Sequence, residues 1–307
     1  MNIAVSPSEL CAAVHLEPYS PAPDITATIA EIVTLHRLRQ NAIKAQTKLS
    51  LQGQAVIRLL VPADETPKEK AKARYATIYK AAAADPLHDL HDYVAPYLHA
   101  GRPLDEQRAV YERQLVKAAK RLPVYPWVKS VRGFGDISFA AIVGECGDIG
   151  TYKSVSAVWK RLGLAVIDGN RQGNPGKNAS ADDWITHGYN RQRRSVSWNM
   201  RANIIGAQGM WRPLFGESVR TNHDLTLYQQ VFAERARMYA GRLDVPVAES
   251  AKGKESYSEH VVRRAARYAE KLLIKHLYLG SGLIAHSQKI TVAARAMAER
   301  KAIGHRS

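Results

Sequence analysis

A chain of 307 residues, 46% hydrophobic and 23% charged, has the composition of a folded protein and the length to bury a sizeable core in two domains or one long one. Its net charge of +16 is uneven: residues 120–307 hold 30 Lys+Arg against 15 Asp+Glu, whereas residues 1–119 hold 14 against 13. A basic part beside a neutral one points to a polyanionic partner such as a phosphate backbone, and with no apolar run near the roughly 18 residues of a membrane span and no signal-peptide layout, a cytoplasmic protein with no membrane partner is expected.

Residues 1–23 are rich in Pro and Ser ("EPYSPAPD") and read as a flexible leader. Asp24 can cap a long helix in which Ile25, Ile29, Ile32, Val33, His36, Ile43 and Leu49 recur at threes and fours, with no Pro or Gly before Gly53. "VPADETPKEK" breaks this pattern. A charged, Ala-rich helix follows ("KEKAKARYATIYKAAAAD"), ended by Pro86. "HDLHDYVAPYLHAG" is expected to be a short helical piece stopped by Gly101. "PLDEQRAVYERQLVKAAKRL" then has Pro and acid at its start and Lys/Arg at its end, as a helix dipole favours. Residues 24–122 thus read as an elongated helical hairpin or coiled-coil-like region, whose helices offer a surface for a homo-oligomer.

After "PVYPW" the texture changes. Trp127, Trp159, Trp184, Trp198 and Trp211 all fall within residues 127–211, and clustered large aromatics mark a compact core. Residues 123–240 read as a compact helical domain interrupted by a non-helical stretch at 165–183. Residues 241–258 form a polar linker or loop, and 259–307 hold C-terminal helices: the amphipathic "EHVVRRAARYAEKLLIKHLYL" and, beyond "GSG", a basic helical tail at 286–303. The fold class expected is mainly α.

The stretch "VRGFGDISFAAIVGECGD" sets Gly133 and Gly135 around Phe134 just before a helix. The first amides of a helix lack intrahelical partners and carry partial positive charge, and glycines let a phosphate come close to them. Lys129 and Arg132 stand near enough to add charge. A second helix, "SVSAVWKRL", follows and is closed by Gly163 as a left-handed cap. A Gly-hydrophobe-Gly turn, a helix, a tight connection and a second helix is the order of a helix-hairpin-helix unit, which grips backbone phosphate without reading bases. The competing reading is plain helix packing through Ala140 and Ala141; the charge asymmetry favours phosphate.

At this point "VKSVRGFGDISFAAIVGECGDIGTYKSVSAVWKRLGLA" resembles the C-terminal domain of the bridge-RNA-guided insertion-sequence transposases. "HGYNRQRRSVSWNMRANII" is similar to the family's next segment, "RRAARYAEKLLIKHLY" to its final helix, and "LHRLRQNAIKAQTKLSLQGQAVIRLL" to its helical connector. The resemblance implies a DNA-binding role in transposition or recombination, with structured guide RNA as a further partner. Two departures accompany it. Only the short leader stands before the first long helix, so the metal-dependent nuclease domain that family members carry ahead of the connector is expected to be missing. Where the resemblance places a nucleophilic serine before a glycine, Gln172 precedes Gly173, and the nearest serine is Ser180. The resemblance therefore implies a transposase derivative that grips DNA without cutting it alone. An active recombinase using Ser180 and an RNA-binding architectural module are the alternatives.

Further basic groups join the candidate interface. Arg191, Arg193, Arg194 and Arg201 surround Trp198 and suit phosphate contact, with Trp198 itself read as core. Arg263, Arg264 and Arg267, with Lys271 and Lys275, form a stripe that either tracks a second backbone or keeps a helix solvated. His88 and His91 in "LHDLHD" read as a turn rather than a metal pair, for want of a third ligand. Asp136 reads as an acid at a helix start, and Glu145, Asp148 and Asp168 do not pair into a magnesium site. Cys11 and Cys146 are too few for a disulfide framework and read as thiols in a reducing compartment. No metal and no cofactor is expected.

Overall fold

Asp24 opens the first helix, α1 (Ile25–Leu60), its Oδ1 accepting a hydrogen bond from the Ala27 N–H at 3.0 Å. The computed structural model describes residues 24–62, 68–167, 169–173, 176, 178–206, 213–214, 217–218, 225–242, 247–249 and 255–304. The leader 1–23 with Cys11, and likewise Asp168 and Trp211, lie outside the described residues. What is described is mainly α-helical and falls into two compact units, Thr34–Leu115 and the residues up to Val33 together with those from Val116 onward.

The Thr34–Leu115 unit contains most of α1, all of α2 (Lys68–Ala84) and most of α3 (His91–Ala119). Ile57, Tyr79, Ala82 and Val94 form its buried cluster, with Leu90 and Leu98 packed against it. Helices α1 and α3 run antiparallel in a register kept by polar side chains. Arg39 Nε donates to Glu112 Oε1 at 2.8 Å, and Gln46 Nε2 donates to Asp105 Oδ1, seven residues on along one helix and seven back along the other. Arg108 Nε reaches the same Glu112 oxygen at 2.9 Å. Burial alone would raise the Glu112 carboxyl, but the bonds from Arg108 and Arg39 outweigh it and hold the group below the usual range.

One local expectation for this region gives way to packing. Gly101 does not stop a helix, because α3 continues through Pro96, Gly101 and Pro103 as one 29-residue element. Each proline removes a single backbone bond, while the long-range contacts on either side, Val94 and Leu98 on the cluster and Glu112 on Arg39, hold both flanks to one axis. Gly53 likewise sits inside α1, where it makes room: a Cβ there would come within 2.5 Å of Tyr79 Cε2. His88 and His91 close the turn before α3. Leu90 N–H donates to His88 Nδ1 at 3.1 Å, and His91 Nδ1 lies 2.8 Å from the Ala82 carbonyl oxygen.

In the other unit, α4 (Tyr125–Ser130) and α5 (Asp136–Cys146) are followed by a 3₁₀ turn (Ile149–Thr151) and α6 (Val155–Arg161). A small antiparallel ladder, β1 (Val166–Ile167) with β2 (Asn170–Arg171), precedes α7 (Ala181–His187) and α8 (Arg191–Gly206). Two more ladders pair β3 (Pro213–Leu214) with β4 (Glu217–Ser218), and β5 (Val247–Glu249) with β6 (Glu255–Tyr257), the latter inside the stretch expected to be a linker. Between these ladders runs α9 (Leu227–Ala240), opened by a reciprocal Thr226–Gln229 cap, and α10 (Glu259–Gly304) ends the described chain.

Helix α10 is the central element, lying against α6, α8, α9 and the 3₁₀ turn. Its contact with α9 is built from small residues, Ala233, Ala236 and Ala240 facing Val261, Ala265 and Ala269. "GSG" does not break α10, since those small residues serve a close approach. The Ser281 carbonyl oxygen lies 2.9 Å from where a Cβ on Gly150 would stand, and Val124 Cγ2 lies 3.2 Å from one on Gly280.

Replacing Gly53 by Ala should lower stability despite alanine's better helix propensity, because the buried Tyr79 ring cannot move away freely; overpacking of this kind costs about 1–3 kcal/mol. Thermal unfolding monitored by circular dichroism reads this directly, and a melting temperature unchanged or raised would show that the ring accommodates the methyl group.

Candidate nucleic-acid interface

The glycine turn lies between two helices rather than ahead of both. Helix α4 enters it, with Pro126 in its first turn, and α5 leaves it, so the hairpin is α4–turn–α5 and α6 stands outside. Gly133 adopts φ +87°, a conformation that L side chains rarely take, and this reverses the chain. Phe134 N–H donates back to the Val131 carbonyl at 3.0 Å. The Phe134 ring is buried, edge-on to Trp127 at 6.4 Å and to Phe139 at 6.0 Å between centroids. Phe134 therefore anchors the turn from within, and only its main chain can face a ligand.

Gly135 is the N-cap of α5 at φ −69°, ψ 155°, and no side chain caps this helix. Helices α6, α7 and α9 are each capped, by Ser154, Ser180 and Thr226. The turn lines a surface pocket of about 470 Å³ together with Lys129, Ser130, Arg132, Asp136 and Asn203. Lys129 and Gly135 are exposed. Asp136 is drawn aside: its Oδ1 accepts a bond from Tyr125 OH at 3.0 Å, and Lys120 Nζ lies 3.9 Å from its Oδ2. The carboxylate expected at this helix start is thus hydrogen-bonded by α4 and has a lysine beside it.

The arginines of α8 divide. Asn190 caps the helix, accepting from Arg193 N–H at 3.0 Å, and Arg191 at its start is exposed. Arg193 Nε lies 3.4 Å from the buried Glu145 Oε2, while Gln192 Nε2 donates to Glu145 Oε1 at 2.9 Å, tying α8 to α5. Arg194 and Arg201 turn inward. Arg194 makes a two-pronged bond to Glu270 at 2.6 and 3.1 Å, Arg201 Nη1 lies 3.7 Å from the same carboxylate, and Ser197 Oγ donates to it. Glu270 has no exposed surface. Sequence reasoning missed this residue, although an acid on the apolar stripe between Ala266, Ala269 and Leu273 was a signal for a buried ion pair. Trp198, read as core, is instead 49% exposed, with the Arg201 guanidinium 5.3 Å from its ring centroid. Its flank of the helix faces away from Val196, Met200 and Ile204, which fill the core.

The residues at and near the position where a serine was sought have structural roles. Gln172, at the position where a serine was sought, is buried and fully engaged: its Oε1 accepts from Ala165 N–H at 3.1 Å, and its Nε2 donates to the Lys160 and His187 carbonyls at 3.1 and 2.6 Å. Ser180 is the N-cap of α7, its Oγ accepting from Asp183 N–H at 3.1 Å and donating to Asp183 Oδ2 at 2.9 Å. The backbone and hydroxyl bonds from Ser180 hold the Asp183 carboxyl below its ordinary range, which makes it a weak base for activating that hydroxyl. Burial pushes the Cys146 thiol up to about 12, despite Arg161 nearby, so it stays protonated. Tyr228 OH meets His276 Nδ1 at 2.8 Å, but both are buried and desolvation raises the phenol. Among the described residues no group of His, Cys, Asp and Glu is placed to hold a metal ion, and no helix is long and apolar enough to cross a membrane.

Replacing Glu270 by Ala should leave Arg194 and Arg201 buried without their acceptor and cost about 3–5 kcal/mol, read as a lower urea midpoint; a loss under 1 kcal/mol would mean that the arginines find water. Acid should also weaken the fold through His276. Desolvation first, then Lys275, depresses its folded-state pKa below the ordinary 6.5, so its contribution is complete above that pH and falls as the pH drops through it. Between pH 7.5 and pH 5.5 the melting temperature should fall further for the wild type than for His276→Gln. No protein-family model, curated protein or solved structure significantly matches this chain.

Proposed function

We propose that the chain is a transposase-like DNA-binding protein that grips the sugar–phosphate backbone through the α4–α5 hairpin and serves DNA transposition or recombination, without cutting strands by itself. The start of α5 carries this reading. A helix that opens on a glycine turn, without a side-chain cap, next to Lys129 and Arg132 and in a surface pocket, leaves main-chain amides for an anion. The surplus of 30 basic over 15 acidic residues in the same part of the chain favours a polyanion over a lone small one. Contact of this kind gives affinity without base choice. The likeness of residues 128–165 to the bridge-RNA-guided transposases supports the assignment to transposition. Gln172 in place of a serine and Ser180 in a helix cap weigh against strand cleavage by these residues.

Gly135 permits a clean test, since its backbone angles suit any residue and a Cβ there meets nothing within 4 Å. Gly135→Ala should keep the melting temperature and yet weaken duplex DNA binding about tenfold, because the methyl group occupies the approach of a phosphate. Lys129→Ala and Arg132→Ala should each flatten the salt dependence of affinity by about one phosphate's worth. Fluorescence anisotropy across a salt series measures both. Affinity and slope unchanged in all three variants would place the DNA elsewhere, and structured RNA outcompeting duplex DNA would assign the same seat to RNA.

A further inference from the structure

We infer that Arg171, Arg263, Arg264 and Arg267 form a second anion site, independent of the α4–α5 turn, that takes a terminal phosphate monoester. The four guanidinium groups come from two separate elements, β2 and the first turns of α10, and line one cavity of about 390 Å³ with Glu259 and His260. Glu259 is the one carboxylate in that lining, so the wall carries a surplus of three positive charges with His260 neutral. A backbone diester would cancel one of them; a monoester dianion cancels two and accepts several forked bonds at once.

Three of the four arginines also have fixed partners. Arg267 is half-buried and donates through Nη2 to the Gly163 carbonyl at 3.2 Å. Arg264 lies over the Tyr239 ring at 4.5 Å, and Arg263 pairs with Glu259 one turn back. Fixing these long side chains before the ligand arrives lowers the entropy lost on binding. A helix face kept merely solvated would not bring Arg171 across from a hairpin, nor half-bury Arg267 among like charges. Burial, followed by the nearby Arg194 and Arg171, brings the Arg267 pKa down to about 10, and an added dianion would relieve that crowding.

The test uses the full chain and two kinds of probe. Single-stranded oligonucleotides of one sequence carry a phosphate or a hydroxyl at the 5′ or 3′ end, and inorganic phosphate is titrated separately by calorimetry. The wild type should bind a phosphorylated end about tenfold more tightly than the hydroxyl end, and Arg171→Gln with Arg264→Gln should abolish that ratio while affinity for the hydroxyl strand persists. Inorganic phosphate that binds in the wild type and not in the double variant, with no preference between strand ends, would assign the site to a small phosphorylated compound. No difference between strand ends together with no phosphate binding sensitive to the two substitutions overturns the site. Because the ratio and the phosphate titration do not depend on Gly135, failure here and failure of the turn as a DNA seat are separate results.

Discussion

A carboxylate without any exposed surface must be compensated where it stands, and Glu270 is compensated by three residues of a single neighbouring helix. Arg194, Ser197 and Arg201 follow one another at three and four residues along α8, the spacing that keeps them on one face. The pairing sets the rotation of α8 about its own axis as well as its position along α10. Turning α8 by one residue would point Trp198 at Glu270 and leave a bare charge inside. Alanine and leucine contacts alone would tolerate such slips more easily.

From that fixed point the candidate interface can be traced outward. Helix α8 is tied to α5 through Gln192 and Arg193 on Glu145. Helix α5 in turn holds the glycine turn through Phe139 and Phe134, with Asn203 of α8 donating to Ser138 Oγ at 3.4 Å beside the pocket. The buried arginines thus serve the proposed nucleic-acid seat by positioning it, and the charge available to a ligand there would come from Lys129, Arg132 and Arg191, and from the arginines around the second cavity. Division of labour among arginines of similar sequence context follows from one acid, since Arg191 at the helix start stays exposed one turn short of Arg194, which reaches Glu270.

Much of the local chemistry was legible from residue types. Asp24 as a cap, Gly133 as a turn residue and Gly163 in a left-handed conformation each follow from a single steric or hydrogen-bonding need, and each is found. The mainly helical class followed from apolar spacing in the same way. Expectations failed where a long-range contact overrode a local preference. Gly101 and Pro103 within α3, and Gly280 within α10, look like stops until Leu98 of α3 is known to pack on the Ile57 and Tyr79 cluster and Val124 to lie against Gly280. Arg194 and Arg201 look like phosphate ligands until Glu270, some seventy residues away, is placed beside them. Trp198 looks like core because it is large, although the periodicity of Val196, Met200 and Ile204 already put it on the other side.

The central claim concerns main-chain amides, and amides can be observed one by one. In a ¹H–¹⁵N titration of the full chain with duplex DNA at low salt, the account predicts that the amide signals of Gly133, Gly135, Asp136, Ile137 and Ser138 shift together and return when salt is raised. Signals from those five residues that stay in place while others move with added DNA would contradict it.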